Sequence, residues 1–148
     1  MKKFFIFAIA LVAGALAFTS CEKNQEPELI GKVYHYRGVS DVWDGTPYEH
    51  DVYIALADNH NLTIKLVNIK PSDDAAPVTL YLCNGRWEGE DGGYHIHYDG
   101  TPQLPNGKPF SQWESFDIDG WCDEAACDFD YHINGSTMAI FSGEIVND

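Results

Sequence analysis

Apolar and polar side chains alternate with a period of two along most of this chain. Val52, Ile54 and Leu56 share one face, as do Leu62, Ile64 and Leu66; Val78, Leu80 and Leu82; and Tyr94, Ile96 and Tyr98. Successive strand side chains point to opposite faces, so each run predicts a half-buried strand. In chain order the predicted strands are Ile30–Val39, Asp51–Asp58, Leu62–Ile69, a run from Val78 that ends at Asn84-Gly85, and Tyr94–Tyr98. Between them Ser40–Glu49, Lys70–Pro77 and Asp99–Pro109 are rich in Gly, Pro, Asp and Asn and predict loops. Trp113–Ile145 predicts a three-strand meander. Phe116 and Ile118 carry its first strand, and Asp123-Glu124-Ala125-Ala126 turns the chain between Cys122 and Cys127. Phe129, Tyr131 and Ile133 carry the second, and Met138, Ile140 and Phe141 the last. Asn134-Gly135 is the strongest hairpin signal, because a type I′ turn needs positive φ at both central residues.

This adds up to seven or eight strands at short spacing, with no helical repeat of apolar residues. The pattern predicts an all-β, antiparallel fold, either a barrel or a β-sandwich. Meander order favours an up-and-down barrel, which also removes exposed sheet edges.

The N-terminus has a different character. Lys2-Lys3 precedes the apolar run Phe4–Ala13, which is too short to span a bilayer and predicts a secretory signal over residues 1–20. Thr19-Ser20-Cys21 resembles a bacterial lipoprotein processing site, with Phe18 standing where an aliphatic residue is usual. That resemblance makes Cys21 the lipidated first residue of the mature chain. Residues 21–29 are polar and charged and predict a short disordered tether, leaving 30–148 as the domain. Acyl chains contribute about 0.8 kcal/mol per buried methylene, so lipid on Cys21 would hold the domain at a membrane.

The domain resembles the calycin-like domains of Bacteroides-type lipoproteins. The likeness lies in Ile30-Gly31 with Tyr36 and Gly38, in Leu62–Ile69, in Phe116-Asp117-Ile118-Asp119-Gly120 and in Phe141-Ser142-Gly143-Glu144-Ile145. It implies an eight-stranded lipocalin-like barrel, an outer-membrane location and a small apolar ligand held in the barrel. The motifs are of strand and turn, and they assign no catalytic residue.

Charge and chemistry narrow the function. Nine Lys and Arg stand against 23 Asp and Glu, a net charge of −14, and Lys2 and Lys3 belong to the leader. Such a domain repels nucleic-acid phosphates. Cys122 and Cys127 flank a four-residue turn and are expected to form a disulfide, which an extracytoplasmic compartment permits. Cys83 is then the odd cysteine, buried or free. His95 and His97 share a strand face, and Asp117/Asp119 and Asp128/Asp130 form two pairs, but no third ligand or calcium loop completes a metal site. A solvated polar face is the simpler reading, and no metal or cofactor is expected. No nucleophile elbow, zincin motif or phosphate loop is present. The expected function is therefore non-enzymatic binding of a small apolar or glycan ligand, with Trp43 in the Ser40–Glu49 loop as the contact residue. A packed structural, interaction or inhibitor module is the alternative, and an unrecognised hydrolase the third. An open or a filled barrel interior separates the first two.

Overall fold

The computed structural model describes residues 25–147, so the signal sequence and Cys21 lie outside the described residues. Eight antiparallel strands follow one another around a closed barrel: β1 (Lys32–Val42), β2 (Tyr48–Leu56), β3 (Asn61–Ile69), β4 (Val78–Glu90), β5 (Gly93–Gly100), β6 (Phe116–Cys122), β7 (Ala126–Ile133) and β8 (Thr137–Ile145). Each strand pairs with the next in sequence, and β1 pairs with β8 from Tyr36↔Ile145 to Val42↔Ala139. Closure removes every free edge and excludes the sandwich alternative.

Two strand limits differ from expectation, each for a local reason. β1 runs on through Ser40–Val42, because those residues pair with Phe141, Ile140 and Ala139 of β8. Asn84-Gly85 bends β4 instead of ending it: Leu62 pairs with Gly85 and Ile64 with Leu82, so one extra residue is bulged out where Asn84 takes a positive φ of 67°. Met138 and Ile140 face outward and are exposed, while Ala139 and Phe141 fill the inner face of β8. The tether also differs, since residues 25–30 do not stand clear of the barrel. Pro27 is buried, and the Tyr81 hydroxyl donates to the Glu26 carboxylate on the outer wall of β4.

The inner face is filled by side chains. Tyr36, Ile54, Ile64, Leu66, Leu80, Ile96, Phe116, Ile118 and Phe141 are fully buried, with Phe129 and Tyr131 beside them. Phe129 stacks on Phe141 at 4.9 Å, and Phe116 lies 5.4 Å from Tyr131. The barrel axis is thus a packed aromatic and aliphatic core, of the kind small eight-stranded barrels form.

The two ends differ. One carries the long connections, at 43–47, 70–77 and 101–115. The β5–β6 connection folds over this end, with Phe110 and Trp113 buried and Trp113 stacked on Phe116 at 5.1 Å. Gln103 of the same connection exchanges backbone hydrogen bonds of 2.8 Å with Tyr81, extending the wall where β4 outruns β5. The other end carries the tight turns 57–60, 91–92 and 123–125, and it stays concave.

Candidate ligand site at the barrel mouth

At the tight-turn end the alternation that fills the core runs out, and the last inward residues of several strands line a cavity of about 340 Å³. Lys32 and Tyr34 come from the start of β1, Leu56 from the end of β2, Trp87 from β4 and Tyr94 from the start of β5. Asp58, Asp123 and Glu124 stand on the surrounding turns. The volume lies at the small end of the range for ligand pockets. Gly93 has no room for a side chain: a Cβ there would meet the Trp121 ring at 2.4 Å and the Cys122 carbonyl at 2.5 Å.

The aromatic lining is held from behind. Trp87 Nε1–H donates to the Ala57 carbonyl at 2.9 Å, and the His60 ring packs 5.3 Å from the indole. Tyr34 lies between Tyr36 and Tyr94, at 6.2 and 5.5 Å between ring centres. Tyr36 Oη donates to the Asp123 carbonyl at 2.6 Å and meets Tyr94 Oη at 2.7 Å. Burial pushes the Tyr36 hydroxyl up to about 12, and burial together with the Tyr36 contact pushes Tyr94 higher still, so both are neutral donors at ordinary pH. The Asp123 carboxylate accepts from the backbone N–H groups of Ala125 and Ala126, both at 2.8 Å, and these bonds hold it below the usual carboxylate range. Under this turn Cys122 and Cys127 sit directly opposite each other on β6 and β7 and are joined by a disulfide. So short a loop adds only about 2 kcal/mol by chain entropy. Cys83 is buried on β4 and is not a free thiol.

A second polar group lies inside the barrel toward the other end. Tyr131 Oη donates to Ser40 Oγ at 2.9 Å, and Ser40 Oγ meets His50 Nε2 at 2.7 Å. His50 Nδ1 faces the Asp51 carbonyl at 3.3 Å, which can only accept, so the neutral imidazole carries its proton on Nδ1 and Ser40 donates to Nε2. A serine beside a histidine is the geometry of an activated nucleophile. Here Tyr48 and Phe141 pack on the imidazole at 5.3 and 5.1 Å, and both members of the pair are buried. No reactant reaches Ser40 Oγ without unpacking the core, so the pair serves to satisfy buried polar groups.

Burial lowers the His50 pKa from its ordinary value. The unfolded chain then takes up a proton near pH 6.5 that the folded chain refuses. Stability from this group is complete above the unfolded pKa and is lost as pH falls through the folded one. Urea midpoints of the wild type should drop between pH 7.5 and 5, and His50→Gln should flatten part of that drop. An equal drop in the variant would assign the acid sensitivity to other groups.

The remaining candidates lie on the outside. His95 bonds to Asp119 at 2.7 Å and His132 to Asp117 at 2.9 Å on the exposed faces of β5–β7. Among the described residues no group of three or more His, Cys, Asp or Glu is placed to hold a metal ion. Trp43 projects from the turn after β1 with 76% of its surface exposed, beside a second cavity of about 300 Å³ at the loop-rich end. Sequence reasoning singled out Trp43 and missed Tyr34, Trp87 and Tyr94. The available signal was their position, as the inward aromatics nearest the tight turns at one end of the meander. No family model, curated protein or solved structure matches the chain.

Proposed function

We propose that this chain is a calycin-like lipoprotein, anchored in the outer membrane through Cys21, that binds a small ligand at the barrel mouth without transforming it. The observation that carries this reading is the aromatic cavity of about 340 Å³ above an interior filled by side chains. The filled interior favours the packed-module alternative over a ligand held inside the barrel, and the binding reading rests instead on the cavity at the rim. The rigidly held Trp87 and Tyr94 offer apolar faces at little entropic cost on binding. The leader and the Thr19-Ser20-Cys21 junction support the anchor.

Binding is tested by tryptophan fluorescence and calorimetry against neutral, anionic and cationic small molecules. Saturable binding is expected in the wild type, with a loss of at least about tenfold in Trp87→Leu. Absence of binding across the set would refute the reading. The anchor is tested by fractionation, where Cys21→Ser should release the protein from membranes.

A second reading, an interaction module, rests on a separate observation. Trp43, Met138, Ile140 and Val39 form an exposed apolar strip on the outer wall of β1 and β8. A ligand lost in Trp43→Ala but kept in Trp87→Leu would move the functional surface there.

A further inference from the structure

We propose that the mouth takes a small organic cation, an ammonium or guanidinium group carried on a short apolar chain. The charge would be seated between the aromatic faces and the acidic rim. This inference rests on the reading of the mouth as the binding site, and it assigns the chemical class of the ligand.

Hydrogen-bond direction is the first argument. The Asp123 carbonyl can only accept, so Tyr36 must donate to it. Tyr36 has one proton, so in the 2.7 Å contact Tyr94 must donate to Tyr36. Tyr94 Oη is left with acceptor capacity only. Trp87 Nε1–H is already committed to the Ala57 carbonyl, so the indole brings a π face and no donor. Apart from the Lys32 ammonium and the Tyr34 hydroxyl, the side chains of the lining accept rather than donate, which fits a ligand that donates.

Charge is the second argument. Asp58, Asp123 and Glu124 line the cavity against the single cation Lys32. The chain as a whole carries −14, which draws cations toward a concave acidic rim and repels anions from it. A carboxylate ligand would meet three like charges and one ammonium. A neutral glycan would find few donors for its acceptor oxygens.

Third, the protein already places an ammonium here. Lys32 Nζ lies 5.1 Å from the centre of the Tyr34 ring, inside cation–π range. Tyr34 and, more weakly, the charge of Glu124 raise the Lys32 pKa and favour the protonated form. Lys32 is exposed and its stem is flexible, so a ligand cation can displace it or share the rim with it.

The test titrates the purified protein with hexylammonium, hexanol, hexanoate and methyl glucoside, matched to separate charge from apolar length. Hexylammonium should bind saturably and about tenfold tighter than hexanol, with hexanoate weakest. Lys32→Gln should tighten the ammonium about three- to fivefold by removing a like charge some 5 Å away, and Glu124→Gln should weaken it by a similar factor. Rising salt should erode both effects. Hexanol or methyl glucoside binding as tightly as the ammonium, with dependence on Trp87, would overturn the cation assignment and leave the mouth in place. Looser ammonium binding in Lys32→Gln would overturn it as well. If no probe binds in a Trp87-dependent way, both readings fall together.

Discussion

Phe116→Ala should destabilise the fold by about 3–5 kcal/mol, the range for removing a large aromatic side chain from a core that cannot collapse. Phe116 is fully buried. Its ring stacks on Trp113 at 5.1 Å with 4° between the planes, and it touches Tyr131 and Tyr98 at 5.4 and 6.5 Å. These neighbours come from β7, from β5 and from the connection that closes the loop-rich end, so no single shift refills the space. Phe116→Leu keeps much of the volume and should cost clearly less. Urea denaturation with a constant m-value is the measurement. A loss below about 1 kcal/mol in the alanine variant would mean that Trp113 is not a packed stopper.

The alternation was enough to read the fold class and the strand order, because register on a half-buried sheet is written in the sequence with a period of two. Val52–Leu56 and Leu62–Leu66 face inward as their pattern says. The places where the reading slipped are places where alternation breaks. Asn84-Gly85 carries the signature of a turn, yet tertiary pairing with β3 absorbs it as a bulge. Ser40 and His50 look like loop residues because they are polar. They lie in the barrel because Tyr131, a hydroxyl 91 residues along the chain from Ser40, donates to Ser40, which in turn donates to His50. Met138 and Ile140 lie on the last strand as read, and although apolar they face outward.

The site was less legible for a geometric reason. A barrel mouth is assembled from residues far apart in sequence, here Tyr34, Trp87 and Tyr94, and each looks locally like any other inward aromatic. Only closure tells which inward residue is the last one before solvent. Trp43 drew attention because it sits in a loop, whereas the mouth aromatics sit on strands. The Cys122–Cys127 pairing needed only local proximity across one turn, which is why spacing could suggest it.

Gly120→Ala should cost about 3 kcal/mol, at the upper end for an overpacked site, because the atoms in the way are mostly backbone. A Cβ on Gly120 would lie 2.3 Å from the Asp128 carbonyl oxygen, 2.3 Å from Phe129 Cβ and 2.5 Å from Phe129 Cα. Gly120 pairs with Phe129 on one side and Ile96 on the other, so β6 cannot yield toward either neighbour without breaking a ladder. The control is Gly89→Ala on β4, where nothing lies within 4 Å of the new Cβ. That variant should gain about 0.5 kcal/mol, from the lower entropy of its unfolded chain. Denaturation curves of the two variants side by side make the comparison, and equal effects would show that the β6–β7 approach is not tight. The consequence reaches the mouth. Three residues beyond Gly120 the chain enters the turn whose Asp123 carbonyl fixes Tyr36, and through it Tyr94. Forcing β6 away from β7 would tilt that turn and release the tyrosine pair. A Gly120→Ala protein that still folds should therefore bind mouth ligands more weakly than the wild type, although Gly120 touches none of them.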